Sequence, residues 1–380
     1  MLRKTRFVCV SDTHAYTPSE AGFKLPAGDV LIHAGDLTNH GSISELRKTM
    51  NWIAAADFEV KIVVCGNHDV TLDQSFYASY GRTFHSGALE DPQECIKVVV
   101  EASSSIVFLQ HQSALVRLTR PHGPNTMFKV FGSPYSQSHG TWAFGYEDAD
   151  AAALWGAIPL DADVVVTHTP PYTLCDSRPG GSVGCNALRQ VLSRVRPLLE
   201  VCGHIHESRG CERVRWPPHS SPTLMSGIGI KSNEDKNNEQ IERVALPSRG
   251  SKKQSLVDLT GKRAQRLDND GYALANLQLS LATLFKSSRE NIFLLPPMTT
   301  DIWGIADTHA REVLRSTSFS SEVSDGNKNI GIKGAVQLHR QETCVVNAAI
   351  LATSWPHRGG KRFNAPIVVD IDLPVWTRNG

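Results

Sequence analysis

Five stretches along the 380-residue chain share one pattern of hydrophobic and polar positions. They read RFVCVSDTH, DVLIHAGDLTNHG, EVKIVVCGNHD, DADVVVTHTPP and LLEVCGHIHE. Each is a short, mostly apolar run, then a small residue or turn, then Asp, Asn or His. Unbroken apolar runs rich in Val and Ile predict strands covered on both faces. Between the early runs, Ile43, Leu46, Met50 and Ile53 recur at helical spacing, with Ser42 and Ser44 as candidate caps. Leu188, Val191, Leu192 and Val195 predict a second helix, which Pro197 stops. Strand–helix–strand alternation gives parallel pairing, and α/β sheets collect their chemistry at the carboxyl ends of the strands. The five polar clusters are therefore expected to emerge together at one edge.

From Glu212 to Leu338 the periodicity weakens. WPPHSSPT, NEDKNNEQ, SRGSKKQS and STSFSSEVSDGNKN are loop or disordered compositions. Leu274, Leu277, Leu281 and Leu284 predict a short helical packing face, and NIFLLPPM is a second apolar island. Strand-like sequence returns with ETCVVNAAI and NAPIVVDIDLPVW. The chain thus reads as one domain built from residues 1–211 and 339–380, with residues 212–338 inserted and partly disordered. The run Arg249 to Arg266 carries six positive residues against Asp258 and reads as a solvated linker rather than a nucleic-acid contact. No internal repeat is present.

Composition narrows the class. A net charge of +1 provides no global field towards nucleic acid or an anionic membrane. The start MLRKTRFVCVSD is too short for a signal-peptide core, and no apolar window approaches the roughly 18 residues a membrane span needs. Cys9, Cys65, Cys202 and Cys344 sit inside apolar runs, and no Cys-x-x-Cys pair occurs. A cytoplasmic protein with reduced thiols is expected.

The candidate chemistry lies at the strand ends: Asp12 and His14, Asp36, Asn67 with His68 and Asp69, His168, then His204 and His206. Asp-x-His and His-x-His place both side chains on one side of an extended segment. Asp36 has two oxygens with which to bridge two ions, and Asn67 supplies a neutral one. Imidazoles, carboxylates and one amide suit Mn, Fe or Zn better than Ca. Each piece alone also fits a bland role, since a strand-end Asn or Asp caps helices and builds Asx-turns. His33 and His111, beside apolar runs without a partner, read as structural. The specificity comes from five clusters in order, each following a strand.

SDTH, AGDLTNHG, CGNHD, VTHTPP and CGHIH resemble the signature blocks of the calcineurin-like metallophosphoesterase superfamily. GSPYSQSHGTWAFGY and GHIHESRG are most similar to its class III cyclic-nucleotide phosphodiesterase and metallophosphoesterase-domain-containing branch. The resemblance covers about residues 5–212, and the C-terminal segments resemble the closing strands. It implies a four-layer αββα sandwich of two mixed β-sheets flanked by helices, with two divalent transition-metal ions (Mn, Fe or Zn). Carried over, Asp12, His14, Asp36 and His206 would hold one ion, and Asp36, Asn67, His168 and His204 the other. His206, which some members of the phosphodiesterase branch lack, is present. The chain departs from compact members in the roughly 125 residues between the His-x-His block and the closing strands.

Such a centre would hydrolyse a small phosphoester, a phosphodiester or cyclic nucleotide being favoured by the resemblance and a monoester also open. Two ions bridging one water lower its pKa towards neutrality. His68, next to ligand Asn67 yet in neither metal shell, is the candidate general acid. Asp69 is expected to orient its imidazole. The alternative is a non-enzymatic scaffold on the same fold, as in retromer, which would need neither a full ligand set nor His68. A hydrolase of the metallo-β-lactamase kind would show His-x-His-x-Asp-His, which is absent.

Overall fold

A computed structural model describes residues 1–217, 239–267, 269, 291–295, 340–354 and 356–376. The chain opens with β1 (Leu2–Val10), β2 (Val30–Ala34), α1 (Ile43–Ala55) and β3 (Val60–Val64). Helices α2 (Gln74–Phe84) and α3 (Pro92–Val100) precede β4 (Ile106–Phe108), β5 (Gln112–Arg117) and β6 (Met127–Ser133). A two-stranded ribbon of β7 (Ser136–Gln137) and β8 (Gly145–Tyr146) leads to α4 (Ala151–Gly156) and β9 (Val164–Thr167). A second ribbon, β10 (Ser177–Arg178) with β11 (Gly181–Ser182), precedes α5 (Asn186–Val195) and β12 (Leu199–Cys202). Then come β13 (Gly210–Arg215), β14 (Gln240–Arg243), β15 (Ser255–Asp258), β16 (Ile292–Leu295), β17 (Glu342–Asn347) and β18 (Ile367–Pro374).

The strands form two large mixed sheets. The first has the order β15-β18-β1-β2-β3-β4, with β1 to β4 mutually parallel and β18 antiparallel to β1. The second runs β14-β13-β17-β12-β9-β6-β5-β16, with β6, β9, β12 and β17 parallel at its centre. Alternation along each strand separates three apolar layers. Phe7, Cys9, Ile32 and Ile62 of the first sheet meet Val130, Val166, Val201 and Val346 of the second. Val8, Val10, Leu31 and Val63 face outward onto Leu46, Met50 and Ile53 of α1 and Cys95 and Val99 of α3. Val165 and Val345 face Leu154 and Trp155 of α4 and Leu188, Val191 and Leu192 of α5. The result is the expected αββα sandwich.

The two helices predicted between the strand runs form. Ser42 caps α1 in a reciprocal box with Glu45, each side chain answering the other's backbone N–H. Helix α5 ends with Arg196 in a left-handed conformation, just before Pro197.

The expected insertion is corrected in its extent. Strand β13 runs across the 211/212 boundary, β14 and β16 edge the second sheet, and β15 edges the first. Strand β15 also lies within the basic run expected to be a linker. All four residues of β14 are exposed, so an edge strand of this kind has no apolar alternation by which to announce itself. The leucine stripe from Leu274 to Leu284 lies outside the described residues. Among the described residues no helix is long and apolar enough to cross a membrane. All eight cysteines are free and buried.

Candidate metal centre

The five strand ends converge, although they belong to two sheets. β1, β2 and β3 deliver Asp12, His14, Asp36 and Asn67, and β9 and β12 deliver His168, His204 and His206. Parallel strands in both sheets place their carboxyl ends on the same side, so the loops meet across the sandwich. One ligand atom from each of Asp12, His14, Asp36 and His206 lies within 4.8 Å of the others, and all four residues are buried. His206 Nε2 is 3.3 Å from Asp12 Oδ1, and His14 Nε2 is 3.6 Å from Asp36 Oδ2. On the other side of Asp36, His168 Nε2 stands 3.3 Å from Oδ1. Asn67 Oδ1 is 2.9 Å from His168 Nε2 and 3.0 Å from His204 Nδ1.

The far sides of the imidazoles are fixed. His14 Nδ1 faces the Thr38 carbonyl at 3.2 Å, His168 Nδ1 that of Ala34 at 3.0 Å, and His206 Nδ1 that of Thr353 at 3.1 Å. A carbonyl only accepts, so each Nδ1 carries a hydrogen and each ring, when neutral, turns an Nε2 lone pair inward. His14 Nε2 and His206 Nε2 then oppose each other at 3.2 Å. This donor set fits a divalent cation, which would satisfy lone pairs that otherwise face one another. Electrostatics point the same way. Burial, then neighbouring His68 and His206, hold His14 well below the usual imidazole range; burial and His168 do the same for His204. Asp12 and His206 are the exception: burial opposes charge on both, but their mutual contact, with the surrounding imidazoles, keeps the Asp12 carboxyl well below its ordinary value and raises His206.

The backbone is bent to make this site. Asp12, His14, Asp36 and His204 all have positive φ, between 45° and 66°. Such conformations cost on the order of 1–3 kcal/mol each at non-glycine residues and cluster at functional sites. Gly35, with φ of 104°, packs so tightly that an added Cβ would sit 2.3 Å from His168 Nδ1.

His68 is half-buried at the rim. Its backbone N–H donates to Asp36 Oδ1 at 3.0 Å, and its ring lies edge-on to His14 with centroids 4.7 Å apart. Its Nδ1 donates to the Asn39 carbonyl at 2.7 Å. The expected role of Asp69 is thereby corrected. Its carboxylate turns back into the fold and accepts from Gly66 N, Leu37 N, Thr38 N and Thr38 Oγ1 at 2.7–3.2 Å. It has no bond left for His68 and instead ties the Asp36 loop to the Asn67 loop. Burial, then the Asp36 carboxylate, push its pKa up to about 7 against those four donors.

Three supporting residues were missed by sequence reasoning. Asn39 holds His68 through its carbonyl and reaches the His14 carbonyl through Nδ2 at 2.8 Å. Asn347, at the end of β17, lies within 3.3 Å of the Cys175, Gly203 and Ile205 carbonyls and so braces the His-x-His loop. It repeats the pattern of a polar residue after an apolar strand, which was its available signal. Trp142 packs on His68, and nothing local in the sequence connects the two. His33 and His111 do have partners: His33 Nε2 meets Thr13 Oγ1 at 2.8 Å, and His111 Nδ1 meets Ser133 Oγ at 3.0 Å beside Phe131, Tyr135 and Trp155.

Several known proteins are similar to this chain. The human metallophosphoesterase domain-containing protein 1 is 37% identical over 214 residues, covering 54% of this chain and 62% of its own. A probable rhamnogalacturonate lyase C of Emericella nidulans is 40% identical over 213 residues, 56% of this chain but 18% of that protein. A UPF0046 protein of Caenorhabditis elegans is 30% identical, covering 54% and 64% respectively. The chain therefore spans less than two thirds of the length of each of these relatives. The crystal structure of TT1561 of Thermus thermophilus matches with 15% identity and a TM-score of 0.32, over 53% of this chain and 82% of that one. The model of the calcineurin-like phosphoesterases matches residues 5–208, which include every strand-end residue of the centre, and the chain belongs to that family.

Proposed function

We propose that the protein is a dinuclear-metal-dependent phosphoesterase that cleaves a small phosphodiester, with monoesters and cyclic nucleotides as further candidates, in the cytoplasm. The observation that carries this reading is the opposed pair His14 Nε2 and His206 Nε2, 3.2 Å apart, with each Nδ1 hydrogen committed to a carbonyl. Asp12, His14, Asp36 and His206 are assigned to one ion, and Asp36, Asn67, His168 and His204 to a second. Bound there, the ions would activate water and neutralise phosphoryl oxygens. His68 then holds a proton on Nε2 for the leaving oxygen, while its Nδ1–H stays on Asn39. Asp69 keeps the two ligand loops in register. The name of the fungal lyase does not extend to this chain, because the match covers 18% of that protein.

The test separates proton donation from metal binding. His68→Ala removes the donor but no ligand, so Mn-loaded protein should keep its metal and lose about 10²–10⁴-fold in turnover on esters with alcohol leaving groups. The loss should shrink with nitrophenolate. His204→Ala should lose metal and activity together. A folded, Mn-supplemented wild type that binds metal but cleaves no phosphoester would favour the scaffold reading instead.

A further inference from the structure

His68 is held on a second side that the proposed mechanism does not use. Trp142 lies on residues 138–144, the loop that joins β7 to β8. Its indole covers the His68 imidazole with ring centroids 4.0 Å apart and an interplanar angle of 33°. The loop is not a free arm. Ala143 N donates to the carbonyl of Asn67, the residue next to His68, at 3.2 Å, and Phe144 N donates to Asp73 Oδ2 at 2.9 Å. Ala143 and Phe144 are both buried, so the loop is pinned at the two residues that follow Trp142. Phe84 packs against the indole at 5.4 Å, and His40 lies parallel to it at 6.3 Å.

We propose that Trp142 is a positioning residue: its indole, with the Asn39 carbonyl, locks the His68 ring in the orientation from which it donates a proton to the leaving group. This rests on the phosphoesterase reading above. Turning the imidazole about its Cβ–Cγ bond would drive a ring edge into the indole plane, because 4.0 Å is already contact distance. The turn would also break the 2.7 Å bond to Asn39. With Trp142 gone, one bond to one carbonyl remains, and a proton donor displaced by about 1 Å loses on the order of 10²-fold. The indole acts through His68 rather than on the substrate, since His68 already covers the face it would offer.

The experiment compares the Mn-loaded full chain as wild type, Trp142→Phe, Trp142→Ala, His68→Ala and the His68→Ala/Trp142→Ala double variant. The substrates are bis(4-nitrophenyl) phosphate and glycerophosphoethanolamine. Trp142→Ala should lose about 10²-fold in kcat on the alcohol-leaving ester, with KM and metal content little changed. Trp142→Phe should recover most of that, because a phenyl face still covers the imidazole. In the double variant Trp142→Ala should add nothing to His68→Ala. Independently of turnover, the His68 imidazole C–H signals of the Zn-loaded protein, assigned by their absence in His68→Ala, should be ring-current shifted upfield. Trp142→Ala should abolish the shift.

An additive loss in the double variant, a loss expressed in KM, a Trp142→Ala enzyme with wild-type kcat, or unshifted His68 signals would each overturn the positioning role. A loss in KM would identify Trp142 as a substrate platform. Metal-loaded wild type that cleaves neither ester would overturn the phosphoesterase reading itself, and the positioning role with it.

Discussion

Gly203→Ala offers the sharpest physical test of how the centre is built. Gly203 stands where the end of β12 meets the end of β1 across the sandwich. Its backbone is in a conformation any residue adopts, so the substitution tests space alone. A Cβ there would sit 2.0 Å from Ser11 Oγ, 2.2 Å from Asp12 Oδ2 and 2.7 Å from Ser11 Cβ. Ser11 Oγ can rotate away, but Ser11 Cβ moves only with the backbone. Restoring an ordinary 3.4 Å contact asks for about 0.7 Å at Ser11 Cβ and about 1.2 Å at the Asp12 oxygen. Ligand distances tolerate only about 0.2 Å. The displacement is several times that allowance, and Asp12 also accepts the His204 N–H at 3.0 Å, so a second ligand moves with it.

Overpacking of this kind costs about 1–3 kcal/mol, and misplacing a ligand's support costs about 10–100-fold in metal affinity. Thermal unfolding in EDTA should fall by several degrees, and the further rise on adding Mn should shrink or vanish. Elemental analysis after gel filtration should find substoichiometric metal. Gly156→Ala is the control, because a Cβ there meets nothing within 4 Å. Wild-type metal content and melting temperature in Gly203→Ala would show that the two sheets are free to part at this end, and would refute the tight convergence on which the site depends.

Asp36→Asn should lower metal content most among the single ligand changes, since Asp36 lies between His14 and His168; elemental analysis reads it directly. Asn347→Ala removes a buried amide that lies against three carbonyls and should cost about 1–3 kcal/mol in denaturant unfolding, with a smaller Mn-induced rise in melting temperature. Glu200 supplies the pH dependence. Burial pushes its carboxyl up to about 8 from an ordinary 4.5, so the folded chain binds a proton that the unfolded chain releases between those values. Stability should therefore fall as pH rises through that window, by at most about 1.4 kcal/mol per pH unit from this group. Melting of wild type and Glu200→Gln from pH 5 to 9 should diverge in favour of the variant, and parallel curves would remove Glu200 as the cause.

The strands and their polar ends were legible because both signals are local: an apolar run, a turn, then donors two residues apart. The partition of those strands was not. Nothing in the residues alone separates β1, β2 and β3 from β9 and β12, which read equally well as a single parallel set; the family resemblance supplied the second sheet. Asp69 failed for a related reason. Adjacency pairs it with His68, but its donors Leu37 and Thr38 lie some thirty residues upstream and reach it only once β2 and β3 are paired. Trp142 is farther still, 74 positions from the imidazole it covers. Edge strand β14 hid because a sheet edge needs little apolar surface to be held by backbone bonds.

That division of labour has a thermodynamic side. The first sheet alone carries Asp12 and Asp36, and the second carries His168, His204 and His206, so neither holds a complete donor set. The sheets touch at this end through a few short contacts: His168 Nδ1 to the Ala34 carbonyl, His204 N to Asp12, and Gly203 against Ser11. The same end carries four left-handed ligand residues whose backbone cost is on the order of 1–3 kcal/mol each. An ion bound only by the native state contributes about 4 kcal/mol at a thousandfold excess over its dissociation constant. Two such ions would contribute about 8 kcal/mol, which covers four residues at about 2 kcal/mol each and falls short at about 3. The remaining strain is carried by the fold itself, through Asp69 stapling two ligand loops and Asn347 bracing a third. Those buried hydrogen bonds hold the ligand loops in place without help from an ion.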